Sequence, residues 1–91
     1  MSVSLAFLEL KYGKIFNLDV HGLTKEEARA ELVHVLNTID VDFNAVLVTH
    51  GYHLGTVLKK FVRDELSHKS IKKKINVDAS RTLLLVDNKK I

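Results

Sequence analysis

Residues 15–51, IFNLDVHGLTKEEARAELVHVLNTIDVDFNAVLVTHG, carry a strand, a helix and a second strand in that order, and they decide the fold class. From Ile15 to Val20, Phe16, Leu18 and Val20 share one face, while Asn17, Asp19 and His21 share the other, as strand alternation requires. Thr24-Lys25-Glu26-Glu27 is a capping box, in which Thr24 caps free amides and Glu27 reaches back to the cap. Ala28, Leu32, Val35, Leu36 and Ile39 then recur at helical spacing, so a helix is expected to about Thr38. After the turn-like residues 40–44, Ala45 to Val48 is apolar without interruption. That pattern suits a strand covered on both faces.

Working outward, residues 3–10 (VSLAFLEL) read as a strand leaving through Lys11-Tyr12-Gly13-Lys14. Downstream, a second helix is expected from about Thr56 to Ser67, burying Leu58, Phe61, Val62 and Leu66. Two strands follow, Ile71 to Val77 and Arg81 to Asp87, joined tightly by Asp78-Ala79-Ser80. In the first of them Lys72 and Lys74 are expected to share a face opposite Ile71, Ile75 and Val77. The order from residue 15 is β-α-β-α-β-β. Right-handed crossovers turn two strand–helix–strand units into a sheet with a parallel core and helices packed against it. The expected architecture is an α/β two-layer sandwich with an extra N-terminal strand.

The chain has 91 residues, enough for a single domain. It contains no Cys, which excludes a disulfide scaffold, a Cys-based zinc finger and thiol catalysis. No apolar stretch approaches the roughly 20 residues of a membrane span. Glu9 interrupts the only apolar stretch near the start, so no signal peptide is expected and a cytoplasmic location is. The net charge of +3 hides an asymmetry. Through Leu58, four basic residues face seven acidic ones, net −3; from Lys59 onward ten face four, net +6. A basic half on an acidic domain points to a polyanionic partner, with nucleic acid first among them.

The chemistry gathers where two strands end in the same dipeptide, His21-Gly22 and His50-Gly51. Carboxyl ends of parallel strands share one edge, where ligands bind in open α/β sheets. Helix N-termini beside that edge offer free amides to phosphate, and glycine lets an anion approach the backbone. A histidine there can take or give a proton in phosphodiester chemistry. Asp19, two residues before His21 on the same face, can orient its ring. Tyr52 is a candidate for stacking on an unpaired base. Lys59, Lys60, Arg63, Lys72 and Lys74 are candidates for phosphate contact. His50, His53, His21 and Asp19 together are of a chemistry that suits zinc or manganese, but nothing in the spacing fixes such a site.

Leu18-Asp19-Val20-His21-Gly22-Leu23-Thr24, followed by a helix, resembles the LDxHG opening of the small MutS-related (Smr) domain. Val48-Thr49-His50-Gly51, with Gly55 and Val57-Leu58 after it, is similar to that family's second motif, HGxGxG. The resemblance runs over about residues 15 to 88 and implies a sandwich like the C-terminal domain of bacterial translation initiation factor three. It divides the chain into an N-terminal strand extension, 1–14, and an Smr-like domain, 15–91. Asp19 and His21 match the motif linked to cleavage; His50, Gly51 and Gly55 match the one linked to activity and nucleic-acid contact. The chain departs from the pattern at His53, where the middle glycine would fall. The resemblance implies an endonuclease cutting or nicking RNA or branched DNA, or else a non-catalytic module binding structured nucleic acid or the ribosome. The sequence leaves open which nucleic acid is bound, the oligomeric state, and whether a divalent cation such as magnesium takes part.

Overall fold

The computed structural model describes residues 3–51 and 56–87. Its elements are α1 (Leu5–Tyr12), β1 (Ile15–Asp19), α2 (Lys25–Thr38), β2 (Ala45–Thr49), α3 (Thr56–Lys60), which continues as a π-helical turn over Phe61–Glu65, then β3 (Ile71–Asp78) and β4 (Arg81–Val86). The four strands form one mixed sheet in the order β1-β2-β4-β3. The fold is α/β.

Neighbouring strands β1 and β2 are parallel, in a register that sets Ile15 beside Ala45 and Asp19 beside Thr49. The expected parallel core stops there. β4 folds back from β3 and inserts between β3 and β2, antiparallel to both. Its composition explains the placement: Thr82, Leu83, Leu84 and Val86 are buried, as a central strand requires. The lysine-rich β3 takes the edge, where charge is tolerated and blunts edge-to-edge pairing.

Alternation along β2 sends Val46 and Val48 to one side and Ala45 and Leu47 to the other. The first side packs against Ala28, Leu32, Val35 and Leu36 of α2 and against Leu58, Phe61 and Val62 of α3 and its continuation. The second side packs Ala45 and Leu47 with Ile15, Leu83 and Leu8 of α1. The uninterrupted apolar run of β2 is thus explained by two cores.

The N-terminal segment corrects the expectation of a strand: Leu5–Tyr12 is a helix. Ser4 caps it, its hydroxyl accepting the Phe7 N–H at 3.1 Å, and Gly13 ends it at φ +91°, donating to the Glu9 carbonyl. This helix lies on the sheet face opposite α2 and α3. The expected two-layer sandwich therefore carries a third, partial layer.

Candidate functional site

The carboxyl ends of β1 and β2 lie side by side, joined past Asp19 by the Val20 N–H donating to the Thr49 carbonyl at 2.9 Å. His21 and His50 are the residues just beyond, so both occupy one edge of neighbouring parallel strands. Their side chains, however, take opposite faces of the sheet. His21 follows Asp19 in alternation and is exposed; His50 follows Val46 and Val48 into the core and is only 3% exposed. The residue abutting His21 is Gly51, where a Cβ would lie 3.4 Å from the His21 Cβ. Gly22 and Gly51 have φ of +83° and +74°, the left-handed region that glycine enters without a Cβ penalty.

Asp19 and His21 form the exposed part of the site. Asp19 Oδ1 accepts from His21 Nδ1 at 2.5 Å and from the His21 backbone N–H at 3.1 Å. Partial burial pushes the Asp19 carboxyl up, but these bonds and the nearby imidazole outweigh it and hold the group below its usual range. An ionised carboxylate only accepts, so the shared proton sits on Nδ1, and in the neutral form of the ring Nε2 keeps its lone pair. With side chains 68% and 55% exposed for His21 and Asp19, that lone pair meets solvent or a ligand. This is the arrangement of an oriented general base.

His50 is bound inward at both nitrogens. Nδ1 lies 2.9 Å from the Gly51 carbonyl and Nε2 lies 2.9 Å from Thr82 Oγ1. Burial pushes its pKa down; the Gly51 carbonyl opposes this, and the charges of Arg63 and Lys59 add to it. The sequence expectation of two imidazoles facing one ligand is corrected here: one faces out and the other pins the edge from beneath. The Ser80 carbonyl completes the pin by accepting both the His50 and Gly51 N–H groups, at 2.9 and 3.0 Å.

Burial of His50 has a pH consequence. A histidine whose folded pKa is depressed binds protons more readily in the unfolded state, so stability rises with pH through that window. The contribution is whole above the unfolded value of about 6.5 and declines as pH falls below it. Urea midpoints should therefore drop between pH 7.5 and 5.5, and the drop should be shallower in His50→Gln. Equal pH slopes for the two proteins would overturn this.

The basic candidates separate into groups. Arg63 is committed to the protein: Nε donates to Thr82 Oγ1 at 2.7 Å, and Nη2 donates to the carbonyls of Asp78 at 2.5 Å and Arg81 at 3.1 Å. Lys74 donates to the Leu66 carbonyl at 2.5 Å and the Arg63 carbonyl at 3.3 Å, serving the orphan acceptors where the helix ends. Lys72 and Lys74 do not share a face. An irregularity in the ladder between Ile71 and Lys73 shifts the register, and Lys72 lies with Lys11 and Tyr12 at the sheet end remote from His21. Lys59 and Lys60 remain: Lys59 is near enough to His50 to depress its pKa, and Lys60 is exposed. Tyr52, His53 and Gly55 lie outside the described residues.

The N-terminus of α2 is already satisfied. Thr24 Oγ1 accepts the Glu27 N–H at 3.1 Å, Glu27 Oε1 accepts the Thr24 N–H at 2.9 Å, and Glu26 and Glu27 offset the dipole. Among the described residues no group of three or more His, Asp or Glu is placed to hold a metal ion. No described helix is long and apolar enough to cross a membrane. Sequence reasoning missed Thr82 and Ser80, which hold the edge together without belonging to either His-Gly motif.

Residues 18–81 match the family model of the Smr domain. Comparison with curated proteins and with solved structures gives no match.

Proposed function

The chain belongs to the Smr domain family, a nucleic-acid-related module, and from that premise we propose that it cleaves phosphodiester bonds in RNA or branched DNA with His21 as its proton-transfer group. The observation that carries this is the pairing of Asp19 with His21 Nδ1, which leaves an exposed Nε2 as acceptor. Nε2 takes the proton of the attacking oxygen, a 2′-hydroxyl in RNA or water on DNA. The new O–P bond forms, the bond to the leaving oxygen breaks, and the imidazolium returns the proton to that oxygen. Asp19 stabilises the imidazolium in between. Gly22 and Gly51 keep the flanks of the ring low enough for a phosphate to approach. His50 acts from beneath, as a support.

One observation favours a second reading, a structure-selective binding module without cleavage. Acid–base cleavage commonly uses two proton-transfer groups, and here a single imidazole faces out while His50 is enclosed. A cleavage assay on labelled single-stranded, duplex and branched RNA and DNA, with and without magnesium, separates the two. Tight binding with no scission in any condition would leave the binding module.

Gripping is tested apart from chemistry. Lys59 and Lys60 are the basic residues proposed to meet phosphate, whereas Lys74 is held by carbonyls. Each phosphate neutralised on a single strand contributes about 0.7 to the slope of log affinity against log salt. Replacing Lys59 and Lys60 together with Ala should flatten that slope by roughly 1.4 and weaken all sequences alike. Lys74→Ala should leave the slope unchanged and lower the urea midpoint. A titration of fluorescent single-stranded RNA at several salt concentrations measures this, and an unchanged slope in the Lys59/Lys60 variant would move the phosphate contacts elsewhere.

A further inference from the structure

We infer that Arg63 and Thr82 are positioning residues: they fix which nitrogen of His50 carries its proton, and through His50 they hold the Gly51 backbone against His21. The inference deepens, and rests on, the reading of the Asp19–His21 edge as the working edge. It begins with proton counting. A guanidinium has donors and no acceptor, so Arg63 Nε gives its hydrogen to Thr82 Oγ1, 2.7 Å away. The Thr82 hydroxyl must then send its own hydrogen to another partner, and His50 Nε2 stands at 2.9 Å. An accepting Nε2 carries no proton. The neutral ring therefore carries it on Nδ1, which faces the Gly51 carbonyl, an acceptor, at 2.9 Å.

Reversing the direction fails at both ends. With the proton on Nε2, both lone pairs of Thr82 Oγ1 would be taken by donors and its own hydrogen would have no acceptor among the described residues. Nδ1 would meet the Gly51 carbonyl lone pair against lone pair. Double protonation would set a second cation close to Arg63 in a buried site, and burial with the Arg63 and Lys59 charges already pushes the His50 pKa down.

The source of the relay is itself rigid. Arg63 directly follows buried Val62 in the π-helical turn, and Nη2 is fixed by two carbonyls flanking the β3–β4 turn, those of Asp78 and Arg81. The relay therefore links α3, β4 and the end of β2. Gly51, its last member, takes a left-handed φ and abuts the His21 side chain. The tautomer of a buried ring is thereby converted into the position of an exposed one's neighbour.

The test is the 15N spectrum of the imidazoles in uniformly labelled protein at neutral pH, where a protonated and an unprotonated ring nitrogen resonate in separate regions. His50 should be protonated at Nδ1 alone. Thr82→Val should shift population toward Nε2–H, and Thr82→Ser, which restores the hydroxyl, should return the wild-type pattern. Where scission is measured, Thr82→Val should lower kcat by roughly tenfold or more with KM little changed, the scale of a small misplacement, and Thr82→Ser should recover it. A wild-type His50 protonated at Nε2 or at both nitrogens overturns the inference, as does a Thr82→Val spectrum identical to wild type. If Thr82→Val does not fold, the wild-type tautomer decides alone. The predicted tautomer in a protein that cuts no nucleic acid would overturn the nuclease reading and leave the relay standing.

Discussion

Asp19→Asn and His21→Ala should each cut the rate of phosphodiester cleavage by about 10²-fold or more, the contribution of a positioned proton-transfer group. The two losses have different origins. His21→Ala removes the base outright. Asp19→Asn keeps the ring but replaces an acceptor with a side chain that can donate, so Nδ1 is free to lose its proton and Nε2 to gain one. The imidazole would then present N–H where the reaction needs a lone pair, a tautomer error that costs about 10⁴ in serine proteases. Stability should hardly change in either variant, because both side chains are more than half exposed at a strand end. The Asp19 carboxyl, held below its usual range, stays ionised through mildly acid pH, so the pair should persist across the range in which such assays are run. The measurement is single-turnover cleavage of a labelled substrate by folded variants. A His21→Ala protein cutting at the wild-type rate would sink the assignment of His21 and move the proton transfer to another group.

How much of this was legible in the sequence depends on parity. The β1 and β2 strands, α2 with its capping box, and the buried stripes of both core helices follow from alternation, helical spacing and the Thr24–Glu27 pair. The common edge of His21 and His50 follows as well. Their opposite faces were also written in the chain, but only through register. The ladder offsets β1 from β2 by 30 positions, Asp19 to Thr49, whereas His21 and His50 are 29 apart. A one-residue mismatch sends the second ring to the other side of the sheet. No single-strand pattern contains that offset.

The basic residues were less legible for a related reason. Lysines 72 and 74 share a face only if the strand is regular, and the irregularity between Ile71 and Lys73 parts them. Arg63 and Lys74 count as positive charge in any composition, yet their hydrogens go to carbonyls and a hydroxyl of the chain itself. A charge count cannot separate a cation that caps a helix end from one that awaits a phosphate. The insertion of β4 between its neighbours was similarly hidden, because two strands joined by a tight turn form a hairpin wherever the sheet has room for it.

The N-terminal segment offers the sharpest stability test, because helix and strand make opposite demands on two leucines. In a strand, Leu8 and Leu10 would share a face and respond alike to truncation. In the helix they diverge: Leu8 is 5% exposed against Ile15, Ala45, Leu47 and Leu83, and Leu10 is 89% exposed. Ser4 at the N-cap, Gly13 at the end, and Leu5, Leu8 and Tyr12 at helical spacing were the available signals, masked by an apolar run with little contrast between faces. Leu8→Ala should cost about 3 kcal/mol, the usual loss for a buried leucine whose site cannot collapse. Folded domains of this kind are stable by only about 5–15 kcal/mol, so that is a substantial share of the total. Leu10→Ala should stay within about 0.5 kcal/mol of wild type. Urea unfolding followed by circular dichroism, with the m-value checked for constancy, measures both. Equal losses at the two positions would contradict the helix, and a small loss at Leu8 alone would mean that α1 contributes little to covering the second face of the sheet.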